Sequence, residues 1–176
     1  AFLGLHGKII AKPTHGLGSQ DIHIIICPAQ LQALTIKKYI LEKYIAGTEM
    51  RYLVLNNSVI AVHRSEYGVS VAQDRYLERF SINESSWDAD VVALSTTITT
   101  IVGLNFSAID YLVDADGTHH ILEVNSAPGL KWFHAPTAGP AVDVATLFLQ
   151  AMLDEPTPSF DARAGKIMPH WYPQLA

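Results

Sequence analysis

Two carboxylates and an amide oxygen, on Asp110, Glu123 and Asn125, sit on two short apolar stretches. These run from Phe106 to Val113 and from His120 to Asn125, around Asp114-Ala115-Asp116-Gly117. Both stretches read as strands, whose side chains alternate between faces, so Glu123 and Asn125 point the same way. With an even number of residues in the turn after Val113, Asp110 lies across the hairpin from Ile121. Glu123 is then its diagonal neighbour on the same face. Carboxylates that close repel unless a cation neutralises them. An all-oxygen set on a rigid sheet suits Mg²⁺, which keeps waters and takes phosphate oxygens as further ligands. The same charges also read as a solvated sheet face, although Glu123 lies within the apolar run Ile121-Leu122-Glu123-Val124.

Three cations could meet an anion. Lys12 precedes a loop containing Gly16, Gly18 and Ser19. A lysine supplies a point charge for phosphate, and glycines let backbone N–H groups approach it. A plain hairpin turn fits that pattern equally well. Arg51 and Arg64 flank Asn56-Asn57-Ser58, a turn sequence. A two-residue loop there places both arginines, with Glu49, on one face. Neighbouring cations cost energy unless an anion pairs them. The pairing is either a surface ion pair with Glu49, worth little, or a clamp for a phosphate or acyl-phosphate. His63 alternates to the face opposite Arg64 and reads as a core or solvated histidine. His119 and His120 have no partner at ligand spacing, so zinc is not expected.

The elements that must position these residues alternate between hairpins and helices. Lys8 to Ala11 and Asp21 to Cys27 read as strands around the glycine loop, Pro28 to Tyr39 as a helix and Ile40 to Ile45 as a strand. Arg51 to Leu55 and Val59 to Arg64 form a hairpin, and residues 65–84 carry no clear pattern. Ser85-Ser86-Trp87-Asp88 resembles a capping box. Trp87, Val91, Leu94, Ile98 and Ile101 follow at helical spacing up to Gly103. Val144, Leu147, Phe148, Ala151 and Met152 give a last amphipathic helix. The tail from Asp154 has no periodicity and reads as an extended or mobile arm. The fold class is α+β.

Composition narrows the function. The 176 residues are 49% hydrophobic and 16% charged, enough for a real core. A net charge of −5 argues against a general nucleic-acid binder. The apolar runs are too short to span a membrane. Cys27 stands alone, in keeping with a reducing, cytoplasmic location, and reads as a core thiol. The opening Ala1-Phe2-Leu3-Gly4-Leu5-His6 lacks a signal peptide's charged region, opens close to a strand and reads as a cut end.

Ile109-Asp110, Asp114-Ala115-Asp116-Gly117 and Leu122-Glu123-Val124-Asn125-Ser126-Ala127-Pro128-Gly129 together resemble the metal-binding end of the ATP-grasp superfamily. The Glu-Val-Asn-Ser-x-Pro-Gly form is similar to ribosomal-protein glutamate ligases and cyanophycin synthetases. The resemblance covers residues 8 to 153. It implies the ATP-grasp fold, with a small lobe over 1–46 carrying the Gly-rich loop, a large lobe over 47–153 carrying the metal, and a tail over 154–176. It implies that Asp110, Glu123 and Asn125 hold Mg²⁺ bridging ATP phosphates, with Mn²⁺ able to stand in. Lys12, Gly16, Gly18 and Ser19 match the phosphate loop in order. Leu41 to Arg51 resembles the hinge between lobes, where Glu42 accepts from the adenine amino group. The backbone at Tyr44 and Ile45 pairs with the adenine edge, and Glu49 takes the ribose hydroxyls. Arginines at the positions of Arg51 and Arg64 contact phosphate and the substrate carboxylate, and Lys131 lies in a loop near the substrate.

The implied activity is a Mg-ATP-dependent ligase that joins a small-molecule or peptide carboxylate to an amine through an acyl-phosphate. A non-catalytic ATP-binding module and an ATP-grasp kinase are the alternatives. Two departures stand out. The N-terminal domain that usually helps bind the acceptor is not found in this sequence, and the expected partners leave open a homo-oligomer or a missing N-terminal domain. Residues 65–84 also lack the Arg-x-Asn segment of the glutamate ligases, for which Arg75 and Arg79 are the available substitutes.

Overall fold

The computed structural model describes residues 2–15, 21–34, 38–69, 75–154, 159–161 and 166–168. It is α+β and divides into two compact units, residues 1–47 and 48–176. Among the described residues no helix is long and apolar enough to cross a membrane.

The first unit opens with helix α1 (Phe2–His6), just ahead of the expected strand. Strand β1 (Ile9–Pro13) is flanked by β2 (His23–Ile25) and β3 (Tyr39–Lys43) in an antiparallel sheet ordered β2-β1-β3. Alternation sends Ile9, Ala11 and Ile25 to a buried side with Leu3, Leu31 and Leu41. Helix α2 (Pro28–Gln32) is one short turn begun by Pro28, far shorter than the expected Pro28 to Tyr39. The side-chain oxygen of Gln30 accepts from the N–H groups of Ile26 and Cys27 at its start.

The second unit is a five-stranded antiparallel sheet ordered β6-β5-β4-β7-β8. Its strands are β4 (Thr48–Leu55), β5 (Ser58–Val69), β6 (Arg75–Ser81), β7 (Phe106–Val113) and β8 (His119–Asn125). Within the stretch 65–84, without pattern in the sequence, residues 65–69 continue β5 and residues 75–81 form β6. Asn56 and Asn57 turn β4 into β5 with φ of 46° and 60°, a left-handed pair that asparagine tolerates. Helix α3 (Ala89–Ile101) is capped by Asp88, which accepts from the N–H groups of Asp90 and Val91, and not by Ser85. It packs Val91 against Tyr52, Val54, Val62, Ile109 and Tyr111 on one face of the sheet. On the other face Leu53, Ala61 and Ala108 pack with Phe133 of α4 (Lys131–His134) and Val144 of α5 (Val144–Asp154). In the tail β9 (Ser159–Asp161) pairs with β10 (Lys166–Met168).

Two irregularities set which residues share a face. Between Leu53 and Val54 the β4–β5 register shifts, with Ile60 as the extra residue, so Arg51 lies opposite His63 and Met50 opposite Arg64. Between Asp110 and Tyr111 the β7–β8 register shifts around Leu122, so Asp110 lies directly opposite Glu123. Val113 pairs with His119, which leaves Asp114 to Thr118 in the turn, an odd number rather than the even one expected. An odd turn on a regular ladder would place Leu122 opposite Asp110 and Glu123 on the other face. The bulge restores the parity.

Candidate functional site

Four side chains form a row across the second unit's sheet: His63 on β5, Arg51 on β4, Asp110 on β7 and Glu123 on β8. Each is the cross-strand neighbour of the next, on the face that carries Leu53 and Ala108. Arg51 donates from Nε to one oxygen of Asp110 at 2.5 Å and from Nη2 to the other at 2.6 Å. This is a two-point, charge-assisted pair. The Asp110 side chain is only 4% exposed and Arg51 19%. That hydrogen bond to Asp110 raises the Arg51 pKa above its ordinary value against an opposing desolvation. Glu123 is at the exposed end. Partial desolvation, then Asp110, raises its pKa, while Arg51 lowers it. The pair opposite each other is thus one carboxylate neutralised by arginine and one that favours a proton or another cation.

Asn125 follows on the same side of β8, opposite Ala108. Its side-chain oxygen accepts from the Ala127 N–H at 2.9 Å, which anchors the loop after the strand and leaves a second lone pair. The donor set is therefore two carboxylates and an amide oxygen, hard ligands that fit Mg²⁺. Among the described residues no group of three or more His, Cys, Asp or Glu could hold a metal. A cation here would complete its octahedral set from water or phosphate oxygens.

At the other end of the row His63 is 1% exposed and stacked on Phe133 at 3.9 Å between ring centroids. Burial, with Arg79 and Arg51 nearby, lowers its pKa to about 4, so the ring is neutral at pH 7. One step along the face, Arg79 reaches Glu49 at 3.5 Å. Glu49 therefore meets Arg79, and its charge also reaches Arg51. Arg64 occupies the opposite face, against the ring of Phe80 and 2.8 Å from Glu66. The expected shared face for Arg51 and Arg64 is corrected by the bulge at Ile60: one extra residue inverts the alternation beyond it. His63, assigned to packing by its position beside Arg64, takes the place in the row.

The loop after β8 crosses this face. Phe133 covers His63, the Thr137 N–H donates to the Arg79 carbonyl at 2.7 Å, and the Ala138 carbonyl accepts from Ser81 at 2.9 Å. Gly139 makes the close approach, with φ of 92° and the Ser81 carbonyl where a Cβ would stand. Lys131 lies over the neighbouring Trp132 ring.

In the first unit Lys12 and Glu42 share the β1–β3 face and pair at 2.6 Å. Ile10 occupies this face too, with Ile40 and Ile24, which are 52% and 48% exposed. An ion pair among exposed apolar side chains is a surface that a flat, partly polar ring could cover. The Tyr44 N–H donates to the Lys8 carbonyl at 3.2 Å, which ties the end of β3's extension to β1. The Tyr44 ring lies under the Lys8 ammonium at 4.0 Å. Gly16, Gly18 and Ser19 lie outside the described residues.

The chain matches the model of the RimK-like ATP-grasp domain over residues 9–151. No curated protein sequence matches it. Among solved structures it is similar to the ATP-grasp ligase PsnB complexed with a phosphomimetic variant of minimal precursor, Mg and ADP. The TM-score is 0.72 at 18% identity, over 86% of this chain and 48% of that one. D-alanine–D-alanine ligase from Bacillus anthracis aligns at TM-score 0.64 and 18% identity, over 87% of this chain and 54% of that one. Macrocyclase MdnC from Microcystis aeruginosa MRC, bound with precursor peptide MdnA, aligns at 0.63 and 14%, over 87% and 51%. The chain thus spans about half the length of these structures.

Proposed function

This chain belongs to the RimK-like ATP-grasp domain family, and from that premise we propose that it activates a carboxylate with ATP and passes it to an amine. The observation that carries the reading is the row Arg51–Asp110–Glu123, one cation between the sheet's interior and two facing carboxylates. Asp110, Glu123 and Asn125 would hold Mg²⁺, which when bound draws charge from ATP phosphates. Lys12 orients a phosphate group, and Glu42 accepts from the adenine amino group across the apolar face of β1 and β3. The backbone at Tyr44 and Ile45 meets the adenine edge, and Gly16, Gly18 and Ser19 belong to the phosphate loop. Glu49 serves the ribose hydroxyls.

The substrate carboxylate attacks the γ-phosphorus and ADP leaves, which gives an acyl-phosphate; the amine then attacks the acyl carbon, inorganic phosphate leaves and the amine gives up a proton. The protein's part is position and electrostatics rather than covalent chemistry. Arg51 supplies the positive charge on the metal-site face, and Arg64, on the other face, has no part in a joint clamp with it. PsnB binds precursor peptide PsnA2 and MdnC binds precursor peptide MdnA, so a peptide carboxylate is the first substrate class to try.

Calorimetric titration with ATP, with and without Mg²⁺, tests the reading. We expect Mg²⁺-dependent binding that Asp110→Asn and Glu123→Gln each weaken. Acceptor-dependent release of inorganic phosphate then separates a ligase from a kinase, which would keep the phosphate on its product. ATP binding indifferent to Mg²⁺ and to both substitutions would overturn the proposal.

A further inference from the structure

Arg51 stands between two acceptors. Towards β7 it occupies both oxygens of Asp110. Towards β5 it faces His63, its direct cross-strand neighbour. Nε2 of His63 is buried and has no hydrogen-bond partner among the described residues. The ring is clamped against Phe133, with the planes 23° apart, so it cannot turn out to water. Leaving a buried polar atom without a partner costs free energy, and a neutral imidazole with its proton on Nδ1 offers a lone pair at Nε2.

Asp110 is asked to do two things. A guanidinium gripping both of its oxygens and a divalent cation coordinated by them compete for the same lone pairs. Glu123 lies directly opposite, so withdrawing Arg51 with nothing in exchange would leave two carboxylates facing each other. An exchange of cations avoids that state. The displaced guanidinium then needs an acceptor within reach on its own face.

Resting on the reading of Asp110 as a Mg²⁺ ligand, we propose that Arg51 is a positioning residue with two seats, Asp110 and Nε2 of His63, and that a divalent cation arriving at Asp110 moves it from the first to the second. Arg51 keeps the carboxylate pair assembled until the metal replaces it. His63 makes its departure affordable by accepting the freed N–H. This gives His63 a role in metal loading that its burial alone would assign to packing.

The test uses the full chain and Mn²⁺ alone as a paramagnetic probe, followed by electron paramagnetic resonance. Folding of each variant is checked by circular dichroism. Arg51→Gln removes the competitor and should bind Mn²⁺ about tenfold more tightly, the scale of one charge-assisted hydrogen bond. His63→Phe keeps the stack on Phe133 but removes the second seat, and should bind about tenfold more weakly. In the Arg51→Gln background His63→Phe should change nothing, and His63→Gln, which retains an acceptor, should bind like the unaltered chain. Unchanged or weaker binding by Arg51→Gln overturns the competition. An equal effect of His63→Phe with and without Arg51 reduces His63 to packing. No Mn²⁺ binding by any form, the unaltered chain included, defeats the metal-site reading and this inference with it.

Discussion

Asp110→Asn and Glu123→Gln remove one negative charge each from the same site, and the structure assigns them unequal consequences for stability. The Asp110 side chain is 4% exposed and accepts two bonds from an arginine that is itself 19% exposed. Breaking a buried pair by removing one partner costs about 3–5 kcal/mol, because the other charge is left uncompensated. The asparagine keeps one acceptor and Arg51 still sees some water, so the low end applies, about 3 kcal/mol. In a chain of this size each kcal/mol lowers Tm by about 2–4 °C, which gives a fall of about 6–12 °C. Glu123 is exposed, and desolvation and Asp110 both raise its pKa. Its charge is held against an unfavourable field, so Glu123→Gln should lie within about 0.5 kcal/mol of zero or be slightly stabilising. Urea and thermal unfolding at pH 7 without divalent metal measure both. Equal losses of Tm, or a larger loss for Glu123→Gln, would refute the charge assignment along the row, whatever the two do to ATP binding.

Three further outcomes are expected. The folded pKa of His63, about 4, lies below its unfolded value of 6.5. The unfolded chain therefore takes the proton first, and stability present above pH 6.5 is lost as pH falls towards 4, by up to about 3 kcal/mol; His63→Phe should flatten that part of the urea-midpoint profile. Gly139→Ala drives a side chain into the Ser81 carbonyl at φ 92°, and should cost at least about 2 kcal/mol. Faster amide exchange at Ser81, which donates to Ala138, would show the loop lifting from β6. Lys12→Met removes an ion pair whose side chains are 26% and 43% exposed, so stability should change by less than about 1 kcal/mol, while ATP affinity in calorimetry falls about tenfold or more. A melting loss without an affinity loss would make Lys12 structural.

The oxygen-bearing residues of the proposed metal site were legible from their types. Only oxygen ligands serve a hard cation, and Glu123-Val124-Asn125 on one strand puts two of them on one side by alternation alone. The hairpins were legible from turn chemistry, as at Asn56-Asn57, where left-handed backbone is needed. The continuation of β5 and the strand β6 were not, because an edge hairpin with mixed side chains has no period to read. Helix α2 was overestimated because Pro28 suits a first helical turn but does not fix where the helix ends, and Tyr39, the expected last residue, pairs with Pro13 of β1. Pairing across the sheet outweighed local propensity there.

The amino-acid sequence by itself determined the family, the α+β class and the oxygen donors carried by β7 and β8, since these depend on residue identity and short-range spacing. Only the tertiary structure decided which side chains meet. The bulge at Leu122 brings Glu123 opposite Asp110, and the bulge at Ile60 sends Arg64 away and puts His63 beside Arg51. Strand alternation has a period of two, so a single extra residue reverses every side chain beyond it. Where that residue is absorbed depends on how neighbouring strands pair and pack, and no local stretch of sequence encodes it.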